Sequence, residues 1–302
     1  MSKYQDSKFM EASIEQYGSH MVMTNVMRPM KQKYINFDTK YRDDSNSVVN
    51  SSTVNVNITL PERVNDVKTM QIRSLELPVM YYNISSARGN NCFIIRANST
   101  NTIINVPDGD YTPDTLNNEI TTAINIANSV LNYSYNTTTL KSSLNTTSGS
   151  VVVAFNVNAK GDPILSGFKN TLGWILGFRN PAYSITTAST VSENMIDLTP
   201  PKYFYLAIDE FSKGIQSSFV CPQHGFSMRK NVIAKISLCK SQFPFGTVLN
   251  ANNFNGLLLS DKRSYTGKID IQKLNVQLVD DNGNVVDLNG GDISFCVEVE
   301  HE

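Results

Sequence analysis

The sequence predicts a mainly β protein: a single jelly-roll β-sandwich, interrupted by an inserted α+β subdomain and preceded by an extended N-terminal arm. Three observations carry this. Apolar and polar residues alternate in short runs along most of the chain after residue 33. Gly, Pro, Asn and Asp gather between those runs, where tight turns require them. Charged residues are 18% of the 302 positions, below the roughly 25% of average soluble chains, which suits a turn-rich β protein.

The arm, 1–33, has a different texture. Met1, Met10, Met21, Met23, Met27 and Met30 punctuate a polar stretch with neither strand alternation nor a helical stripe. Two readings stand: a tail without fixed structure, or an arm that orders against a partner, its pliable Met side chains filling irregular grooves. The first part of the jelly roll is expected over 34–90. "KYINFDTKYRD" places Tyr34, Asn36 and Asp38 on one face and Ile35, Phe37 and Thr39 on the other. In "STVNVNITLPE", Val54, Val56, Ile58 and Leu60 share a side, and Pro61 is expected to end the strand. Met70 and Ile72 continue the period, and Leu75 and Leu77 follow after a phase change.

The subdomain is expected over 91–200. "NCFIIRA" and "NTIINV" read as short strands. In "YTPDTLNNEITTAINIANSV", Thr112 is the expected cap, Pro113 the first helical residue and Asp114 a complement to the positive helix end. Leu116, Ile120, Ala123, Ile124 and Ala127 form one apolar stripe. "SGSVVVAFNV" predicts a strand, and "TLGWILGF" a short apolar turn or helix halted by Pro181.

Strands resume over 201–302 with "KYFYLAIDEF", "SFVC" and "NVIAKISLCK". The closing stretch, 266–300, reads as strand, turn, strand: a regular hairpin. Ile293, Phe295, Val297 and Val299 are the expected buried face, with Ser294, Cys296, Glu298 and Glu300 facing water. Ile269 and Ile271 have odd parity but Leu274, Val276 and Leu278 even, so a bulge or bend is predicted at Gln272-Lys273. Asn282-Gly283 and Asn289-Gly290-Gly291 supply residues that tolerate positive φ.

The same residues argue against chemistry. A net charge of -1 and a pI near 6.3 give no electrostatic grip on nucleic acid. No apolar run reaches the roughly 18 residues of a membrane span, and the first residues lack a signal-like apolar core, so a soluble, cytoplasmically made chain is expected. Cys92, Cys221, Cys239 and Cys296 lie far apart and read as reduced thiols. Only His20, His224 and His301 supply imidazole, and no phosphate loop, zinc-protease or nucleophile-elbow motif occurs. "CPQH" (Cys221, His224) has metal-ligand spacing without a second pair, and Asp108, Asp110 and Asp114 read as turn and cap residues rather than calcium ligands. Trp174, the single tryptophan, is expected in the core. No catalytic, cofactor-binding or metal-binding residue is assigned, and no cofactor is expected.

"YINFDTKYRDDSNS", "NVNITLPERVNDVKTMQIRSLELPVMYYNIS", "IINVPDGDYTPDTLNNEI", "LGWILGFR", "KYFYLAIDEF" and "YTGKIDIQKLNVQLVDDNGNVVDLNGGDISFCVEVE" occur in this order. Over about 34–300 the chain thereby resembles the jelly-roll minor capsid proteins of nucleocytoplasmic large DNA viruses. The resemblance implies a non-enzymatic structural role in the virion: a pentameric vertex (penton) protein, or a minor protein lining the shell. It implies self-association as a homopentamer, with the major capsid protein and other minor capsid proteins as partners. A different reading is a β-sandwich that recognises host glycan, for which Tyr81-Tyr82 is the candidate aromatic surface.

Overall fold

The computed structural model describes residues 29–43, 54–97, 100–164, 167–211, 215–216 and 231–302. The arm up to residue 28, the stretch "SFVC" and the Cys221/His224 pair lie outside them.

The fold is mainly β. Strand β1 (Lys31–Asp38) is followed by β2 (Asn55–Pro78), a single strand of 24 residues. Pro61 therefore does not end a strand. It sits where β2 bends, between Leu60 and Val64, and its missing N–H falls in a gap of the ladder: Thr59 pairs with Lys273 and the next pair is Val64–Ile271. Five residues of β2 there span two of the facing strand, so the bulge predicted at Gln272-Lys273 is present, with the extra residues on β2.

Next in the chain come β3 (Cys92–Ala97), β4 (Thr100–Asn105), α1 (Pro113–Ile126), β5 (Leu131–Tyr135), β6 (Lys141–Thr146) and β7 (Val151–Ala154). The one-turn helix α2 (Leu172–Ile175), β8 (Ala182–Ile185) and β9 (Thr190–Met195) follow. The chain then forms β10 (Tyr203–Asp209), β11 (Ile215–Gln216), β12 (Val232–Ser237), β13 (Val248–Asn252), β14 (Leu258–Ser260), β15 (Arg263–Val279) and β16 (Ser294–His301).

Nine of these strands make one antiparallel sheet, in the order β1-β16-β2-β15-β10-β12-β14, with β13 also on β2 and β11 on β15. The expected closing hairpin is not one. β15 and β16 do not pair with each other; they flank β2 on opposite sides. Alternation along a strand fixes its face, not its partner, and β2, far away in sequence, takes the central place. Glu298 also departs from expectation, being buried rather than wet.

The sheet folds on itself. β2 starts beside Gln277, bends over Pro61–Asp66, and returns so that both its ends lie at one end of the molecule. Its inward residues, Val56, Ile58, Leu60, Val64, Val67, Met70, Ile72, Leu75 and Leu77, meet Phe204, Leu206, Leu274, Val276, Leu278, Phe295, Val297 and Val299 in one core. The phase change after Ile72 is a second bulge: Val297 pairs with Ile72 but Cys296 with Ser74, leaving Arg73 over. Phe37 stacks on Phe295 with ring centroids 5.3 Å apart, tying β1 to the last strand. This is a curled sandwich of jelly-roll type.

A second core gathers residues of 84–198, the lobe. Sheets β4-β3-β7-β8 and β5-β6-β9 and helix α1 converge on Phe93, Ile104, Leu116, Ile120, Ile124 and Phe155. Helix α1 starts as the sequence predicts, and Thr115 completes a capping box with Thr112. α2 stops at Ile175, well before Pro181, because Gly177 turns the chain at φ 95°.

Candidate functional site

The register gives the molecule two distinct ends. Lys31 pairs with His301 and His301 with Val67, whereas Asp38 pairs with Ser294 and Ser294 with Glu76. The chain preceding β1 thus enters at the end where β2 bends, and the lobe, which follows Pro78, sits at the other. The eight residues of β1 separate these points by about 25 Å at strand rise.

Ion pairs ring the bend end. Lys33 meets Glu62 at 3.5 Å, Arg63 meets Asp270 at 2.5 Å, and Lys68 and Lys268 both hold Glu302. Their hydrogen bonds lower the Glu302 carboxyl to about 2. At the lobe end, Arg88 joins the lobe to the β15–β16 connection. Its Nη1 donates to the carbonyls of Asn83 and Pro200 at 3.3 and 3.2 Å, and Nε lies 4.0 Å from Asp280. Burial lowers the pKa of Arg88 and raises that of Asp281, which the neighbouring Asp280 charge pushes further up. Lys240 pairs with Asp110 across an open cleft of about 880 Å³, lined by Tyr111, Leu198, Lys202 and Leu238 among others.

Two further charge pairs join residues far apart in the sequence. On the outer face of β2 and β16, Arg73 clasps Glu298 through two bonds of 2.6 and 2.8 Å. The Glu298 side chain is 2% exposed and that of Arg73 39%. This clasp holds the Glu298 carboxyl below its ordinary value, helped by Tyr34 opposite. Deeper, Arg263 is almost wholly buried. It donates to Glu210 Oε2 at 2.7 Å, Ile208 O at 2.8 Å and Asn231 O at 2.7 Å, fastening together the end of β10 and the start of β12. Neither pair has a local sequence signal, because each joins residues more than fifty positions apart.

The residues singled out in the sequence scatter. Asp108 accepts from Ser86 N and Oγ at 2.7 Å, Asp110 pairs with Lys240, and Asp114 accepts from the Tyr135 hydroxyl. Those are turn, ion-pair and cap duties. Tyr81 is buried, edge-on to Phe204 at 4.9 Å, so Tyr81-Tyr82 is not an open aromatic surface; Tyr82 stacks on Phe245. Cys92 is buried, and Cys239 and Cys296 are half-buried free thiols. Trp174 is not core: it is half-buried at the lobe surface.

No family model matches the chain, and no curated protein matches it. Among solved structures it is similar to the mavirus penton protein, at 10% identity and a TM-score of 0.44, covering 90% of this chain and 100% of that one. It is also similar to a chain of the Sputnik virophage, at 12% identity and a TM-score of 0.41, covering 91% of this chain and 98% of that one.

Proposed function

We propose that this chain is a structural capsid protein of a large icosahedral DNA virus, and that it sits at the five-fold vertices as a homopentamer. The observation that carries the reading is the polarity of the fold. A jelly-roll sandwich with a 28-residue segment entering at one end and a lobe at the other has the form of a shell tile. One end reaches beneath its neighbours and the other faces out. The resemblance of 34–300 to jelly-roll minor capsid proteins supports the same role.

On this reading 91–200 is an inserted unit, carried on the sandwich through the contacts of Arg88 and Lys240. The arm, expected over 1–33 but giving way to β1 at Lys31, orders against neighbouring subunits, including the major capsid protein. A shell-lining position for the same tile is the second reading, supported by the family resemblance. Light scattering on the purified full chain separates them: a species of five times the 33.6 kDa chain is expected, and a stable monomer or dimer at micromolar concentration contradicts the vertex assignment.

A further inference from the structure

We infer that the lobe carries a binding site for an acidic saccharide, centred on Trp174. The inference concerns the lobe surface alone and stands apart from the assembly reading.

Trp174 is held half out of the core by its neighbours. Leu172 and Ile175 of α2 are buried, and a Cβ on Gly173 would come within 2.2 Å of the Phe155 ring. The one-turn helix is thus pressed flat on Phe155, and the indole is turned to the surface. Arg179 lies over the indole face, its guanidinium carbon 3.9 Å from the ring centroid. Two bonds fix it there: Nη1 donates to Trp174 O at 2.9 Å and to Phe178 O at 3.1 Å. Lys169 brings its ammonium to 5.8 Å from the same ring, and Phe168 stands edge-on to it at 5.7 Å.

Most arginines of the described residues are held in ion pairs. Arg42, Arg63, Arg73, Arg88 and Arg263 each face a carboxylate within 4.0 Å. Among the described residues no carboxylate lies within 4.0 Å of the Arg179 guanidinium or the Lys169 ammonium, although the Arg179 backbone N–H donates to Glu193 Oε2 at 3.1 Å and the Arg179 charge helps to lower the Glu193 carboxyl. A guanidinium spread on an indole keeps its outer N–H edge in a fixed plane, which suits the two oxygens of a carboxylate or sulfate.

Beside this cationic face lies a set of hydroxyl partners. The Tyr183 hydroxyl donates to Glu193 at 2.7 Å, and Asn180 Nδ2 donates to Glu193 Oε1 at 3.1 Å. Asn180 and Glu193 are exposed. Beneath them Phe178 stacks on Phe155 at 5.0 Å and meets Tyr183 edge-on at 5.1 Å between centroids, so the surface is packed before any ligand arrives. Cations for an acid group, with a carboxylate and an amide beside them for hydroxyls, together describe a sugar acid or sulfated sugar.

Because Trp174 is the only tryptophan, its fluorescence reports on this site alone. The full chain is titrated with a heparin hexasaccharide and with sialyllactose, against lactose, sodium sulfate and a poly-glutamate peptide. A saturable change with at least one acidic saccharide is expected, weakened about tenfold or more in Arg179→Ala through loss of the stacked cation, and severalfold in Lys169→Ala. Lys169 is exposed, so its variant folds normally even if Arg179→Ala does not. The inference is overturned if neither acidic saccharide gives a saturable change, if lactose or sulfate alone binds as tightly, if poly-glutamate binds more tightly, or if Lys169→Ala binds unchanged.

Discussion

At the scale of single residues, the two charge pairs carry opposite lessons from their surroundings. Removing Glu298 leaves Arg73, which water reaches; removing Arg73 strands a carboxylate that water does not reach. Arg73→Ala is therefore expected to cost about 3 kcal/mol or more, and Glu298→Ala only about 1–2 kcal/mol. Urea unfolding of both variants checks the order. Arg263 and Glu210 have no such asymmetry, both being buried. Arg263→Ala is expected to cost about 3–5 kcal/mol, whereas Arg263→Met with Glu210→Leu restores most of it, since an apolar pair needs no compensation. The acid limb of stability belongs to the same scale. Glu298, Glu300 and Glu302 all have carboxyls lowered in the fold. Their contribution is complete above the ordinary value of 4.5 and is lost as pH falls below it through each lowered value, which for Glu302 is about 2. Asp281 works the other way: its raised carboxyl opposes folding at neutral pH and ceases to do so on protonation. Glu302, held by lysines that water reaches, adds little, so the thermal midpoint should stay level from pH 7 to 5 and decline below about 4.5.

At the scale of elements, periodicity was readable wherever one face is apolar. The stripe of α1, its Thr112 cap, and the parity slip in β15 all appear in the structure at the residues that announced them. What periodicity does not contain is partnership. The last two strands look like a hairpin because each alternates well and a turn-rich stretch lies between, yet both bind β2. Pro61 looked like a terminator because a proline breaks a ladder, yet a bend already interrupts the ladder there. Glu298 looked wet because polar residues on an alternating strand usually are; Arg73, freed by the bulge beside it, covers it instead. The inner face of β16 is the firmer reading. Phe295 is fully buried and stacked on Phe37, so Phe295→Ala is expected to cost about 3–5 kcal/mol in denaturant unfolding. Thr112→Ala, which removes one cap from an exposed helix start, should cost only about 1 kcal/mol.

For the whole molecule, two ends serve two purposes. The bend end carries ion pairs and the entering arm; the lobe end carries a second core, a cleft and a rigid cationic aromatic surface. The arm holds five methionines and three aromatic residues before residue 28, a content that favours contact with another surface over water. Deleting residues 1–28 is expected to leave a folded sandwich with unchanged thermal unfolding that enters particles poorly; normal incorporation of the shortened chain would show that the arm is dispensable. The central claim, a vertex tile, is tested most directly by a density map of the virion at side-chain resolution. The account predicts five copies of the sandwich around each five-fold axis, bend end inward and lobe outward. Vertices filled by another chain, with this one elsewhere or absent, would contradict it.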